Sequence, residues 1–205
     1  MSRGATVWSG GGRRIHMQEV GTRDGLQMEA VFVPTDDKIA LVNALSATGL
    51  AKIEVTSFTS PTAIPALRDA EIVMREIERR PGVVYTALVP NLRGAERAIE
   101  ARTDELNLVM SVSETHNLAN LRMTREQSFA ALAQVIALAQ SAQVAVNVSL
   151  SCVFGCPMEG DVAEADVLGY VQRFADLGVG GITLCDTTGM AHPLQVAGIV
   201  AAVRT

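Results

Sequence analysis

Apolar and polar positions along this chain switch repeatedly between two periods. Six short, β-branched segments recur: "IHMQEV" (15–20), "AKIEVTSF" (51–58), "VVYTALV" (83–89), "ELNLVMSV" (105–112), "VAVNVSLS" (144–151) and "GITLCDT" (181–187). Several are apolar on consecutive positions, the pattern of parallel strands covered on both faces. Between them apolar residues fall at helical spacing. Ile39, Val42 and Leu45 share one face after Thr35-Asp36, and Ala70, Val73 and Ile77 share another. The second of these helices is expected to end at Arg79-Arg80, before Pro81-Gly82. Thr124 with Gln127 is a capping-box signature ahead of Phe129, Leu132 and Ile136, and further helices are expected over 163–177 and 192–203.

Strand–helix units at intervals of roughly 20–40 residues, with no break in composition, predict a single α/β domain. A doubly wound sheet would carry G-x-G-x-x-G after its first strand, where only "GTRDG" stands. A (β/α)8 TIM barrel instead gathers its chemistry at the carboxyl ends of the strands. The polar residues follow that rule: Arg23-Asp24 after the first strand, Glu54 and Ser57 on the second, Asn91 after the third, Ser113-Glu114 after the fourth, Ser151 on the fifth and Asp186 on the sixth. A complete barrel takes about 250 residues. The chain therefore reads as about the first six β/α units of a (β/α)8 TIM barrel, a fragment with two strand edges left open. Residues 1–13 read as a flexible leader and 14–205 as the partial barrel domain.

Composition narrows the partners. The core should be aliphatic, because 48% of residues are apolar and only 4% aromatic. A net charge of −5 argues against a general nucleic-acid binder, whose phosphate contacts need clustered Lys and Arg. No apolar run reaches the length of a membrane span, and "MSRGATVWSGGGRR" lacks the apolar stretch of a secretory signal. Cys152, Cys156 and Cys185 are too few for a disulfide scaffold, which makes a cytoplasmic setting the expectation. The C-x3-C spacing, without a second pair of ligands, does not point to structural zinc.

Asp24, Glu54 and Asp186 are expected at one rim of the barrel. Gathered together they would repel one another unless a cation such as Mg2+ or Mn2+ stood between them. Separate, solvated carboxylates are the other reading, and spacing does not choose between them. Arg23 stays protonated. It is either a fixed fork for a carboxylate, phosphate or developing enolate oxygen, or an ion-pair partner of Asp24 or Glu54. Gly25 suits a close backbone approach to a ligand. His16 reads as structural and His192 as a cap, while His116, after the fourth strand, is the histidine placed to touch a substrate. Arg93 suits either a ligand phosphate or solvent. Cys152 and Cys156 suit packing in a rim loop whose turn is set by Gly155 and Pro157.

In order and spacing, "EVGTRDGLQ", "IEVTSF", "PNLRG", "SCVFGCPMEG" and "DTTG" resemble the 3-hydroxy-3-methylglutaryl-CoA lyases, members of a superfamily of metal-dependent TIM-barrel lyases and acyltransferases. The resemblance runs from about residue 14 to the end of the chain. It implies retro-Claisen cleavage of hydroxymethylglutaryl-CoA to acetyl-CoA and acetoacetate, an acyl-CoA substrate, Mg2+ or Mn2+ as cofactor, and a homodimer. It implies Asp24 as a metal ligand, Arg23 as the group stabilising the enolate, and Glu54 as the support of the arginine and metal region. Asp186 would take part in proton transfer from the substrate hydroxyl, and Gln27 would orient the substrate. The family's His-x-His pair and its glycine-rich loop with a reactive cysteine do not occur in these 205 residues. Cys185 stands where relatives carry glycine, and Met28 where asparagine is common. Two alternatives remain: a condensing enzyme of the isopropylmalate or homocitrate synthase type, and a non-catalytic fragment lacking the His-x-His ligands.

Overall fold

All six expected strands form in the computed structural model, which describes residues 15–204. They are β1 (Gln18–Glu19), β2 (Lys52–Ser57), β3 (Val84–Leu88), β4 (Glu105–Ser111), β5 (Ala145–Ser151) and β6 (Gly181–Leu184). Every neighbouring pair is parallel and the order is β1 to β6 without a crossover, so the strands are six consecutive staves of a barrel with helices outside. The expected leader lies outside the described residues.

Helices follow in sequence: α1 (Thr35–Ser46), α2 (Ala70–Glu76), α3 (Leu92–Glu100), α4 (Glu114–Leu121), α5 (Arg125–Ser141), α6 (Glu164–Asp176) and α7 (Pro193–Val203). The capping box of α5 is formed: Thr124 Oγ1 accepts from Gln127 N at 3.1 Å, and Gln127 Oε1 accepts from Thr124 N at 2.9 Å. Apolar spacing does not announce α3 and α4, yet both carry a side-chain cap. Asn91 Oδ1 accepts from Gly94 N, and Ser113 Oγ accepts from His116 N. The expected end of α2 is too late. Ile77 leaves the helix with φ −64° and ψ 145°. Beyond it Arg79 binds Asp104 Oδ1 and the Arg102 carbonyl, and Arg80 N donates to the Tyr85 hydroxyl. Those tertiary bonds replace the last helical turn.

The strands are not apolar on both faces. Leu106, Leu108 and Met110 of β4 and Val146, Val148 and Leu150 of β5 are buried in the core beneath the helices. Full burial of each such side chain is worth about 1.5–3 kcal/mol. The alternate positions, Glu105 and Asn107 on β4 and Asn147, Ser149 and Ser151 on β5, give those strands an inner face rich in polar groups. At the amino end of the barrel this face is closed by Lys52 Nζ, which binds both Glu105 carboxylate oxygens across β3 at 2.6 and 2.8 Å. The register of β2 on β3 slips between Glu54 and Thr56, a bulge beside the residue that the site uses.

Gly94 marks where α3 presses on the carboxyl end of β2. A Cβ there would stand 2.9 Å from the Phe58 carbonyl oxygen and 3.1 Å from Pro90 Cδ. Gly94→Ala is expected to destabilise the fold by about 1–3 kcal/mol, read as a lower denaturant midpoint at unchanged slope. An unchanged midpoint would mean that the helix can back away at no cost.

Candidate active site

Arg23 stands at the carboxyl end of β1 because the chain does not continue as a strand. After Glu19 it winds into a single π-helical turn, Gly21–Gly25, in which Asp24 N bonds the Val20 carbonyl at 2.7 Å. Buried Thr22 ties this turn to β2 by donating its hydroxyl to the Glu54 carbonyl at 2.7 Å. Gly25 has no left-handed backbone, and a Cβ on it would meet no atom of the described residues within 4 Å, so neither turn geometry nor packing within the protein requires that glycine.

The guanidinium spans two carboxylates. Its Nη1 lies 2.6 Å from Asp24 Oδ1 and its Nη2 3.1 Å from Glu54 Oε2, while Nε is buried with no hydrogen-bond partner. The partners differ in setting: the Asp24 side chain is 61% exposed and that of Glu54 1%. Glu54 therefore does not reach solvent. Its second oxygen, Oε1, accepts from Asn107 Nδ2 at 3.0 Å. Asn107 Oδ1 in turn accepts from Asn147 Nδ2 and from the Ser149 hydroxyl, both at 2.9 Å. Asn147 Nδ2 also donates to Thr183 Oγ1 at 3.0 Å. One hydrogen-bonded belt thus crosses the barrel interior from the β1 turn to β6.

Above the belt opens a cleft of about 640 Å³, walled by Arg23, Asp24, Gln27, Leu88, Asn107, Ser149, Cys185 and Asp186 among others. Asp186 is exposed there, and its Oδ1 accepts from Met190 N and Ala191 N, which pins the loop after β6. Its Oδ2 makes no hydrogen bond among the described residues. Burial pushes the Cys185 thiol above its ordinary value, and the charge of Glu54 adds to this while Ser149 and Arg23 oppose it.

Sequence reasoning brought Arg23, Asp24, Gln27 and Asp186 to one cleft, and the structure does the same. It does not gather the three carboxylates: Glu54 lies beneath the floor with both oxygens spent. It does not bring His116 to the cleft either. Ser113 and Glu159 hold the first turn of α4, Glu159 Oε1 accepting from Thr115 N at 2.6 Å, and only the far end of that helix, Asn120 and Leu121, lines the cavity. Exposed Arg93 borders a separate hollow with Phe58 and Arg97. His192 caps α7 as expected, its Nδ1 accepting from Gln195 N. Gly155 has φ +142° in the rim loop, and Cys152 and Cys156 are buried. Burial pushes the Cys156 thiol up, but the Ser113 hydroxyl at 3.1 Å and backbone bonds at Met158 and Glu159 outweigh it and hold the thiol below its ordinary value.

The belt residues Asn107, Asn147, Ser149 and Thr183 were missed. The signal was present: in "VNVSLS" polar residues alternate with apolar ones at the period of a strand, which marks a polar inner face. Among the described residues no three of His, Cys, Asp and Glu stand together as a metal-binding group. Asp24 Oδ2 is one hard oxygen donor suited to Mg2+ or Mn2+, and the described residues alone do not complete a metal site.

Comparison with known proteins agrees with this geometry. Residues 14–205 match the model of a family described as HMGL-like. The chain is 45% identical over 191 residues to hydroxymethylglutaryl-CoA lyase YngG of Bacillus subtilis, which covers 93% of this chain and 64% of that protein. It is 41% identical over 179 residues to the cytoplasmic 3-hydroxy-3-methylglutaryl-CoA lyase of Mus musculus, covering 87% and 52%. Among solved structures, an HMG-CoA lyase from Acinetobacter baumannii in complex with coenzyme A and 3-methylmalate superposes with a TM-score of 0.87. It is 51% identical, and the match covers 91% of this chain and 61% of that one. The chain thus spans between half and two thirds of the length of these proteins.

Proposed function

This chain belongs to the HMGL-like family, and from that premise we propose that it serves a divalent-metal-dependent hydroxymethylglutaryl-CoA lyase, cleaving 3-hydroxy-3-methylglutaryl-CoA to acetyl-CoA and acetoacetate. The observation that carries the reading is the guanidinium of Arg23, held between Asp24 and buried Glu54 on the wall of a cleft at the carboxyl ends of the strands.

In the proposed reaction the substrate hydroxyl gives up its proton and the bond between C2 and C3 breaks. The bonding pair moves toward the thioester carbonyl as an enolate, C3 becomes the ketone of acetoacetate, and a proton taken up at C2 completes acetyl-CoA. A fixed cation beside the thioester oxygen stabilises that enolate, and Arg23 supplies one that cannot lose its proton. Glu54 does not touch the substrate in this reading; it aims the guanidinium from below. Asp186, anchored through Oδ1 and open at Oδ2, is the group assigned to the hydroxyl proton. Gln27, on the same turn as Arg23, orients the acyl group. The cation is assigned to Asp24 Oδ2, and when bound it would supply Lewis-acid polarisation of a substrate oxygen.

A homodimer and a cytoplasmic setting belong to the same proposal. The second is supported by three free cysteines and by the mouse relative named as cytoplasmic. Among the described residues no helix is long and apolar enough to cross a membrane.

Incubating the full-length protein with hydroxymethylglutaryl-CoA and Mg2+ or Mn2+ is expected to release acetoacetate and acetyl-CoA in equal amounts. Consumption of acetyl-CoA with a 2-oxo acid, and no acetoacetate, would assign it to the condensing enzymes instead.

A further inference from the structure

We propose that Asn107 is a positioning residue that fixes Glu54, and through it Arg23. The proposal rests on the lyase reading above. Glu54 and Asn107 sit on β2 and β4, with β3 between them, and both are buried, at 1% and 6% exposure. The amide cannot turn over. Its Oδ1 accepts from Asn147 Nδ2 and the Ser149 hydroxyl while its Nδ2 donates to Glu54 Oε1, and turned over it would set an oxygen against the Glu54 carboxylate. Oε2 accepts from Arg23, and an amide donor suits Oε1 where a second carboxylate or an apolar side chain would not. With Oε2 on Arg23 and Oε1 on Asn107, both ends of the carboxylate are pinned and its plane is set. That plane decides where the guanidinium fork points. Loss of the Asn107 donor frees the carboxylate to rotate, and Arg23 then follows it or parts from it.

Asn107→Ser is the sharpest test, because it takes the amide donor away from Glu54 without adding a charge, whereas Asn107→Asp replaces that donor with a second carboxylate. In the full-length protein Asn107→Ser is expected to lower kcat for hydroxymethylglutaryl-CoA cleavage about tenfold, with KM within about threefold, the pattern of a misaimed transition-state contact. Asn107→Asp should show the same split with a loss of about 100-fold, and it serves if the serine variant fails to fold. The serine substitution placed in a Glu54→Gln background should cost less than about threefold more, since a residue acting through Glu54 has nothing left to position. Losses that multiply in the double variant would overturn the assignment.

Wild-type protein that releases no acetoacetate would sink the lyase reading, not this one. The crystal structure of the Asn107→Ser protein then decides: a Glu54 carboxylate turned off Arg23 supports the positioning role, and an unmoved one overturns it.

Discussion

Arg23→Met in the full-length protein is expected to lower kcat on hydroxymethylglutaryl-CoA by about a thousandfold, roughly 4 kcal/mol of transition-state stabilisation, while KM changes little. Two effects act in the same direction. The enolate loses a fixed positive partner, and that partner matters only once charge has moved onto the thioester oxygen, so kcat falls more than binding. Beneath it, Glu54 loses its counter-ion at a position only 1% exposed, where Asn107 remains its sole side-chain donor among the described residues. Arg23→Lys should recover less than a tenth of the lost rate. A lysine offers one compact charge and cannot fork to Asp24 and Glu54 from opposite ends of a plane. Steady-state kinetics on the wild-type and two variants check this; kcat within about fivefold of wild type in the methionine variant would remove Arg23 from the mechanism.

How much of this was legible before folding can be argued residue by residue. The strands were read within a residue or two over β2 to β5, because β-branched runs and their Gly, Pro or charged flanks are local signals. β1 was read too long: only Gln18 and Glu19 find partners on β2, at Lys52 and Ile53, before the chain winds into its turn. The placement of Arg23, Asp24 and Asp186 at one rim followed from a topological rule, that barrel strands deliver their carboxyl ends to the same face. Depth was not legible. Nothing in "IEVTS" says that Glu54 will be buried and Asp24 exposed, since depth follows from the bulge in β2 and from a partner 53 residues away on β4. His116 looked like a rim residue, but its helix is capped by Ser113 and held by Glu159, and only its far end reaches the cleft.

Lys38 is the plainest case of long-range structure hidden by a local pattern, and it carries the largest expected effect on stability. In "PTDDKIALV" it looks like an exposed first-turn residue, yet its side chain is 4% exposed and its partner Asp69 6%. Lys38 Nζ donates to Asp69 Oδ1 at 2.7 Å and to the Ala66 carbonyl at 2.6 Å, and it lies 4.2 Å from the Phe32 ring centroid. Thr35 Oγ1 donates to Asp69 Oδ2 at 2.8 Å, so both oxygens of that carboxylate are held by α1. The network joins α1 to the Ala66–Asp69 segment that leads into α2. Lys38→Met removes one partner and strands the other: Asp69 stays in its buried setting with the Thr35 hydroxyl as its remaining side-chain donor. The expected loss is about 3–5 kcal/mol, seen as a lower denaturant midpoint in the full-length protein. The double variant Lys38→Met, Asp69→Leu should regain at least half of it, because the cost lies in the unpaired buried charge and not in the missing attraction. If the two single losses simply add in the double variant, the pair is not coupled and α1 is held by its apolar face alone.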